Sequence, residues 1–486
     1  MKRLLPCTLA LTLALSLAGC GGPKVVTVTP EEAAAPAPQQ ETEQQPTAAL
    51  AGDFYSISST YVNSPGFNTG DAWYSLENHL GYCLVTKTDY AAATRRVLCS
   101  VPGCTHDSES CPAWLPGKGA TAQLFTVGDN VYVYHAVSTM YYEGSWDDYY
   151  AEVVEPKLKE RPQGWENLSD EELVTYCRGQ YDESSAPAGL YILAGDGSAR
   201  REVTAAQDLL NTQMRWCDGT ALYGYDMEAA NKGESMGCRL ALADGSVTTF
   251  PLLGNEQIVG AQGSNLLTSR TITPVPLPDP NTDGEAYQAV LQNATVEYDW
   301  LDPATGARTK VLERPHDGSN TGNLDFIGLR DGKLYLEERV LPGTEAYRRE
   351  AICAYDTATG QWQDLVRPIP DETMWLPNVT VAALPDCTVQ QGRYLWFSGS
   401  DNVSGENLAW VMDTQVGALT AVKQTVDGYE LPNWAVRAVA LTDDGRFLVP
   451  TAQQQGDYGP GYVYGLIDAE AFLQGSTEYT PITTGE

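Results

Sequence analysis

Three cysteines and a histidine fall within 13 residues, Cys99-Ser-Val-Pro-Gly-Cys104-Thr-His106-Asp-Ser-Glu-Ser-Cys111. The C-x4-C-x-H-x4-C spacing gathers the Cys3His donor set that suits tetrahedral zinc, because soft thiolates and a neutral imidazole hold a borderline metal without redox chemistry. Pro102-Gly103 can turn the chain back on itself. One disulfide plus a spare thiol is the competing expectation outside the cell, and the spacing is not that of the well-attested zinc fingers.

A second stretch offers binding chemistry rather than ligation. Tyr141, Tyr142, Trp146, Asp147, Asp148 and Tyr149 lie within YYEGSWDDYY. Aromatic faces alternating with carboxylates could stack on sugar rings and accept hydroxyl hydrogens, or could hold a cationic peptide. The same aromatics could instead pack on one another as a small satellite core. A short helix is expected just beyond, with Ser169 as N-cap and Glu172 three residues on. Cys177 near its end could approach the Cys/His box. Asp279 to Glu285 matches the opening of a calcium loop, but its twelfth position is Val290, so a solvated Pro-rich loop is the better reading.

No G-x-S-x-G elbow, H-E-x-x-H or P-loop occurs, and the chain has only four histidines. His79, His135 and His316 sit in unrelated contexts and read as structural. Asp147 and Asp148 form an acidic pair, but among 63 acidic residues such pairs arise by chance. The net charge of −33 argues against nucleic acid as a partner, since phosphates would be repelled.

The elements that must position these residues are short strands. High Gly (45), Tyr (27) and Trp (11) go with little helical periodicity. A turn followed by an apolar strand recurs: GDN before VYVYH, DG before TALYGY, DG before KLYLEE, DDG before RFLV. Each is followed by a second hairpin, such as LYILAGDGSARREVT or CAYDTATGQWQDLV. The four-stranded units predicted at 53–101, 121–204, 207–252, 256–313, 322–367, 378–423 and 434–484 make an all-β, seven-bladed propeller, with six or eight blades as alternatives. An insertion at 137–188 falls between the second and third strands of blade two. In a propeller that loop shares a face with the blade-to-blade connections, so the Cys/His box and the aromatic insertion are expected on one face. Cys83, Cys238 and Cys353 fall on third strands among apolar neighbours and read as buried free thiols. A bridge between Cys217 and Cys238 is not expected, because they sit at opposite ends of one sheet.

The N-terminus carries an address. MKRLLPCTLALTLALSLAGCGG has a basic start, an apolar run too short to span a bilayer, and small residues around Cys20. Its end resembles the lipobox of bacterial lipoproteins. That resemblance implies removal of residues 1–19, lipidation of Cys20, and a location on the extracellular side of the cell membrane. Residues 20–52 are rich in Ala, Pro, Gln, Glu and Thr and form a spacer whose reach as a coil is ~30 Å. Residues 53–486 are the body. The Cys/His box is similar to that of uncharacterised propeller lipoproteins of Gram-positive anaerobes. Tyr355 to Trp362 resembles the outer hairpin of kelch repeats, which implies a Trp packed between blades, although the double glycine of kelch strands is missing. A kelch-like or WD40-like propeller that binds an extracellular glycan or protein is the favoured reading. A secreted polysaccharide hydrolase or lyase is the alternative, and a metal-handling lipoprotein a third.

Overall fold

In the computed structural model the described residues are 52–485, apart from 58–65, 80–81, 118–121, 136–141, 143, 163–164, 166–167, 186–188, 205–213, 226–234, 280, 292, 317–322, 341–347, 370–378, 384–392, 402, 405, 429–434 and 457–458. Cys20, the spacer up to Ala51, Tyr141 and Cys387 lie outside them. No described helix is long and apolar enough to cross a membrane.

Each recurring turn-strand pair closes an antiparallel four-stranded sheet, and the described chain makes seven of them. The blades run over 66–116, 122–204, 214–251, 257–316, 323–366, 379–421 and 440–481, close to the predicted units. A single blade buries neither face, so the sheets stack. Phe125, Tyr132 and Leu124 pack blade two between blades one and three. Ile258, Leu266 and Leu301 pack on Trp216 and Tyr223 between blades three and four, and Leu267 and Tyr298 pack on Leu334 and Leu336 between four and five. Phe397 and Trp410 meet Ile352 and Ile327 between five and six, and Trp396 meets Phe447 between six and seven. Trp73 and Tyr90 meet Leu448 and Tyr464 between seven and one, so the ring is closed.

Closure is carried by both ends of the body. Asn68 Nδ2 donates to the Leu441 carbonyl at 2.6 Å, and Asp443 N to the Gly70 carbonyl at 2.9 Å, joining the inner strands of blades one and seven. Beyond blade seven, Thr483–Thr484 adds to the outer edge of blade one, parallel to Thr94–Val97. The start of the unit predicted at 53–101 is placed differently. Tyr55–Ser56 pairs antiparallel with Met214–Cys217, the innermost strand of blade three, and so stands on the channel side of that blade. Ile57 N donates to the Arg215 carbonyl at 2.9 Å, Phe54 N to Gly263 of blade four at 2.7 Å, and the Tyr55 hydroxyl to Thr126 of blade two at 2.7 Å. One short segment thus ties three blades. Phe54 and Ile57 are both buried, which repays its ordering.

Trp362 corrects another expectation. It is 46% exposed and lies on Tyr355 of its own blade, with ring centroids 4.9 Å apart, so it does not pack between blades. The outer strand is its blade's last, and among the described residues no further strand pairs with it.

Charges also join three strands of blade four. Glu297 is buried and accepts from Lys310 at 2.6 Å and from Arg270 Nε at 3.0 Å; these cations hold its carboxyl below the ordinary glutamate value. A depressed carboxylate contributes stability that is complete above its unfolded value and is lost as pH falls through the folded one. Glu297→Gln is therefore expected to cost about 2 kcal/mol at pH 7, less than a fully buried pair because Lys310 is half exposed. The gap between variant and parent should narrow below about pH 4.3. Urea midpoints across that range test it, and a gap that stayed constant would exclude the ion pair as its source.

Candidate metal centre

The Cys/His box does not lie in the loop between blades one and two. The outer strand of blade one is split: Thr94–Val97 pairs with the lower part of the third strand, Tyr82–Asp89, and Trp114–Pro116 with its upper part. Residues 98–113 leave the strand at Val85 and return to it, since Leu98 N donates to the Val85 carbonyl at 2.8 Å and Val85 N to the Ala113 carbonyl at 2.9 Å. The box is a side excursion from a blade edge.

Within it the donor atoms of Cys99, Cys104, His106 and Cys111 all lie within 4.8 Å of one another. His106 Nδ1 stands 3.3 Å from Cys111 Sγ. Among the described residues this is the single group of three or more such side chains close enough to share an ion. Two left-handed residues produce the convergence. Gly103 and His106 both adopt left-handed φ, +75° and +60°, which folds the chain around the cluster, and His is among the side chains that tolerate that region best. The His106 backbone amide beside Cys104 holds that thiol below its ordinary value. Burial pushes the Cys111 thiol up to about 12.

The excursion is also held from outside. Ser100 N donates to the Gly197 carbonyl at 3.0 Å, and Arg200 to the Glu109 carbonyl at 3.3 Å. Gly197 lies in the turn joining the third and fourth strands of blade two. The aromatic insertion leaves blade two at the other end, between Asn130–His135 and Gly189–Ala194. The expectation of one shared face is therefore wrong: the box and the insertion stand at opposite ends of blade two.

The insertion folds on itself. Helical segments Trp146–Tyr149, Tyr150–Val154, Glu155–Lys159 and Asp170–Ser185 enclose a cluster of Tyr149, Val154, Leu173 and Cys177, with Tyr142, Trp146 and Tyr181 packed around it. Tyr142 meets Tyr149 edge-on at 5.1 Å, and Trp146 stacks on Tyr149 at 5.9 Å. Of the candidate binding residues, Tyr149 is buried, Tyr142 and Trp146 are half buried, and Asp147 and Asp148 are exposed. Asp148 is spent on a capping box with Ser145, whose hydroxyl and N–H hold its carboxyl low. Ser169 and Glu172 form the predicted second box. Cys177 is fully buried in the satellite core, so it does not reach the metal cluster, contrary to expectation. Cys83, Cys238 and Cys353 are buried free thiols on third strands, as read, and the eight described cysteines form no disulfide. In the calcium-like segment Asp279 and Asp283 accept from nearby backbone N–H groups, and Gly284–Leu291 is helical, which leaves the Pro-rich surface reading standing.

No family model matches the chain, and no curated protein matches it. Solved structures do. The β-propeller domain of the Trilobed protease from Pyrococcus furiosus, described as having an open velcro topology, is 9% identical, with a TM-score of 0.43 over 88% of this chain and 98% of that one. Acylaminoacyl peptidase from Pyrococcus horikoshii is 10% identical, TM-score 0.41, over 85% of this chain and 51% of that one. An oligogalacturonate lyase in complex with manganese is 12% identical, TM-score 0.34, over 61% and 71%. These values concern the fold alone. Sheet order and cluster together define the chain as a seven-bladed β-propeller with a Cys3His group on the edge of its first blade.

Proposed function

We propose that this protein is a membrane-anchored propeller on the extracellular side of the cell membrane, and that it binds a glycan or a protein there without catalysing a reaction. The observation that carries the reading is the channel-side strand. Residues 54–57 cover the inner strand of blade three and reach blades two and four, so the chain itself takes up part of the central space where a propeller offers a concave site. The anchor geometry agrees with it. Gly52 N donates to the Asp218 carbonyl, in the turn between the first and second strands of blade three, so the spacer reaches the ring at that end. The helical insertion extends from the other end of the ring. Its exposed acids, Asp147 and Glu171 among them, suit a cationic or hydroxyl-rich partner.

Glycan and cell-wall arrays probed with the full chain test this. Saturable binding without turnover is expected, weakened on the order of tenfold by Asp147→Lys with Glu171→Lys. Turnover of a polysaccharide would overturn the reading in favour of a hydrolase or lyase.

A further inference from the structure

We propose that Cys99, Cys104, His106 and Cys111 hold one Zn2+ in a closed tetrahedral site, and that this ion latches the blade edge on which the C-terminus closes the ring. The inference is independent of what the surface binds.

The donor geometry is the first support. Zinc–sulfur bonds of about 2.3 Å in a tetrahedron put sulfurs about 3.8 Å apart. The four donor atoms already lie within 4.8 Å of one another, so side-chain adjustments of under about an ångström complete the shell. A disulfide would use two sulfurs and leave the third thiol and the imidazole converging on the same point without a partner. On binding, Zn2+ forms three Zn–S bonds and one Zn–N bond; the three thiol protons pass to water, and no electron is transferred. All four positions are filled from one short excursion, and Cys111 is fully buried, so no open coordination position remains for substrate. That assigns the ion a structural role.

What it stabilises follows from the register. The excursion begins one residue after Thr94–Val97, and that strand is the partner of Thr483–Thr484. Thr483 N donates to the Ala93 carbonyl at 2.9 Å and Gly485 N to the Arg95 carbonyl at 2.8 Å. Thr94–Val97 is half exposed, short, and continued only through the box. Two residues of parallel pairing on so short an edge are marginal without something to fix it. The ion closes the excursion and so holds the strand in line; Ser100 and Glu109 then tie the same unit to blade two.

The test uses the full chain purified under nitrogen without chelator. Elemental analysis is expected to give one zinc per chain. After stripping, a Co2+ titration is expected to saturate at one equivalent with a thiolate-to-cobalt charge-transfer band that Zn2+ abolishes. His106→Asn retains a residue that tolerates left-handed φ, so it removes the ligand without backbone strain. It should weaken metal binding on the order of 100-fold or more. Cys353→Ser, on blade five, should leave metal content unchanged. Stripping should speed amide exchange at 94–97 and 483–485 on the order of tenfold or more, with blade five unaffected. Absence of stoichiometric metal, or a disulfide among the three cysteines in the native protein, overturns the site. One bound zinc whose removal leaves exchange at 483–485 unchanged overturns the latch.

Discussion

Phe54→Ala combined with Ile57→Ala is expected to lower stability by about 5 kcal/mol, with each single change costing about 3 kcal/mol. Both side chains are buried, Phe54 against Tyr223 at 4.8 Å and Ile57 in the core cluster shared by blades one to three. Truncation inside a rigid core would leave two cavities and a larger sum. Here the segment lies outside the blades' own four-stranded sheets, so it can peel away once its anchors are gone. The loss is then capped at the free energy that docks it. Peeling uncovers Cys217, which is fully buried beside Tyr55 and whose thiol burial pushes up to about 11. Native-state thiol labelling at Cys217, set beside urea midpoints, therefore reads the mechanism directly. An unchanged midpoint with Cys217 still protected would show that the strand does not hold the inner ring together.

That strand also marks where sequence reading stops. Turn chemistry is local, so Asp-Gly and Gly-Asp-Asn pairs announce their hairpins, and alternating strands between them place the blade boundaries within a few residues. Tyr55–Ser56 has the composition of any edge strand, and its partner Met214–Cys217 lies far along the chain. Nothing local distinguishes pairing with blade one from pairing with blade three, and the tertiary contacts decide. Thr483–Thr484 is the same case, since two residues of parallel pairing leave no pattern at all.

The candidate metal centre is half legible in the sequence. Donor types and spacing in 99–111 pointed to a Cys3His group, and the structure brings those four side chains together. Their position was not legible, because the topological rule for propeller loops assumes an uninterrupted outer strand. Trp114–Pro116 resuming that strand breaks the assumption. WLP after a Cys-Pro pair does carry a faint signal, an apolar triplet long enough to pair. Cys177 differs for another reason: the Ser169–Glu172 box announces its helix, but the side that faces inward is set by packing against Tyr149, Val154 and Leu173. Trp362 shows the limit of resemblance, since the Tyr355 to Trp362 hairpin is kelch-like in sequence while its Trp remains at the surface.

The contact between the box and blade two should be the most sensitive point on this edge. Gly197 has φ of +74°, and a Cβ there would stand 2.8 Å from Cys99 N and from the Leu98 carbonyl carbon. Both obstacles are backbone, and neither can swing aside. The Gly197 turn is fixed by its N–H to the Ala194 carbonyl at 2.8 Å, and the box by Ser100 N to the Gly197 carbonyl at 3.0 Å. Gly197→Ala therefore carries two costs, about 1–2 kcal/mol for a left-handed alanine and about 2 kcal/mol more for pushing two backbones apart. Gly219 separates them, because its φ is +82° and a Cβ there meets nothing within 4 Å. Gly219→Ala should cost the first amount only. Gly197→Ala should lose about 2 kcal/mol more and should also weaken Zn2+ binding, since the displaced backbone carries the Cys99 ligand. Equal losses for the two variants, with unchanged metal affinity in both, would mean that the box moves freely against blade two and that the turn contributes nothing to holding its ligands.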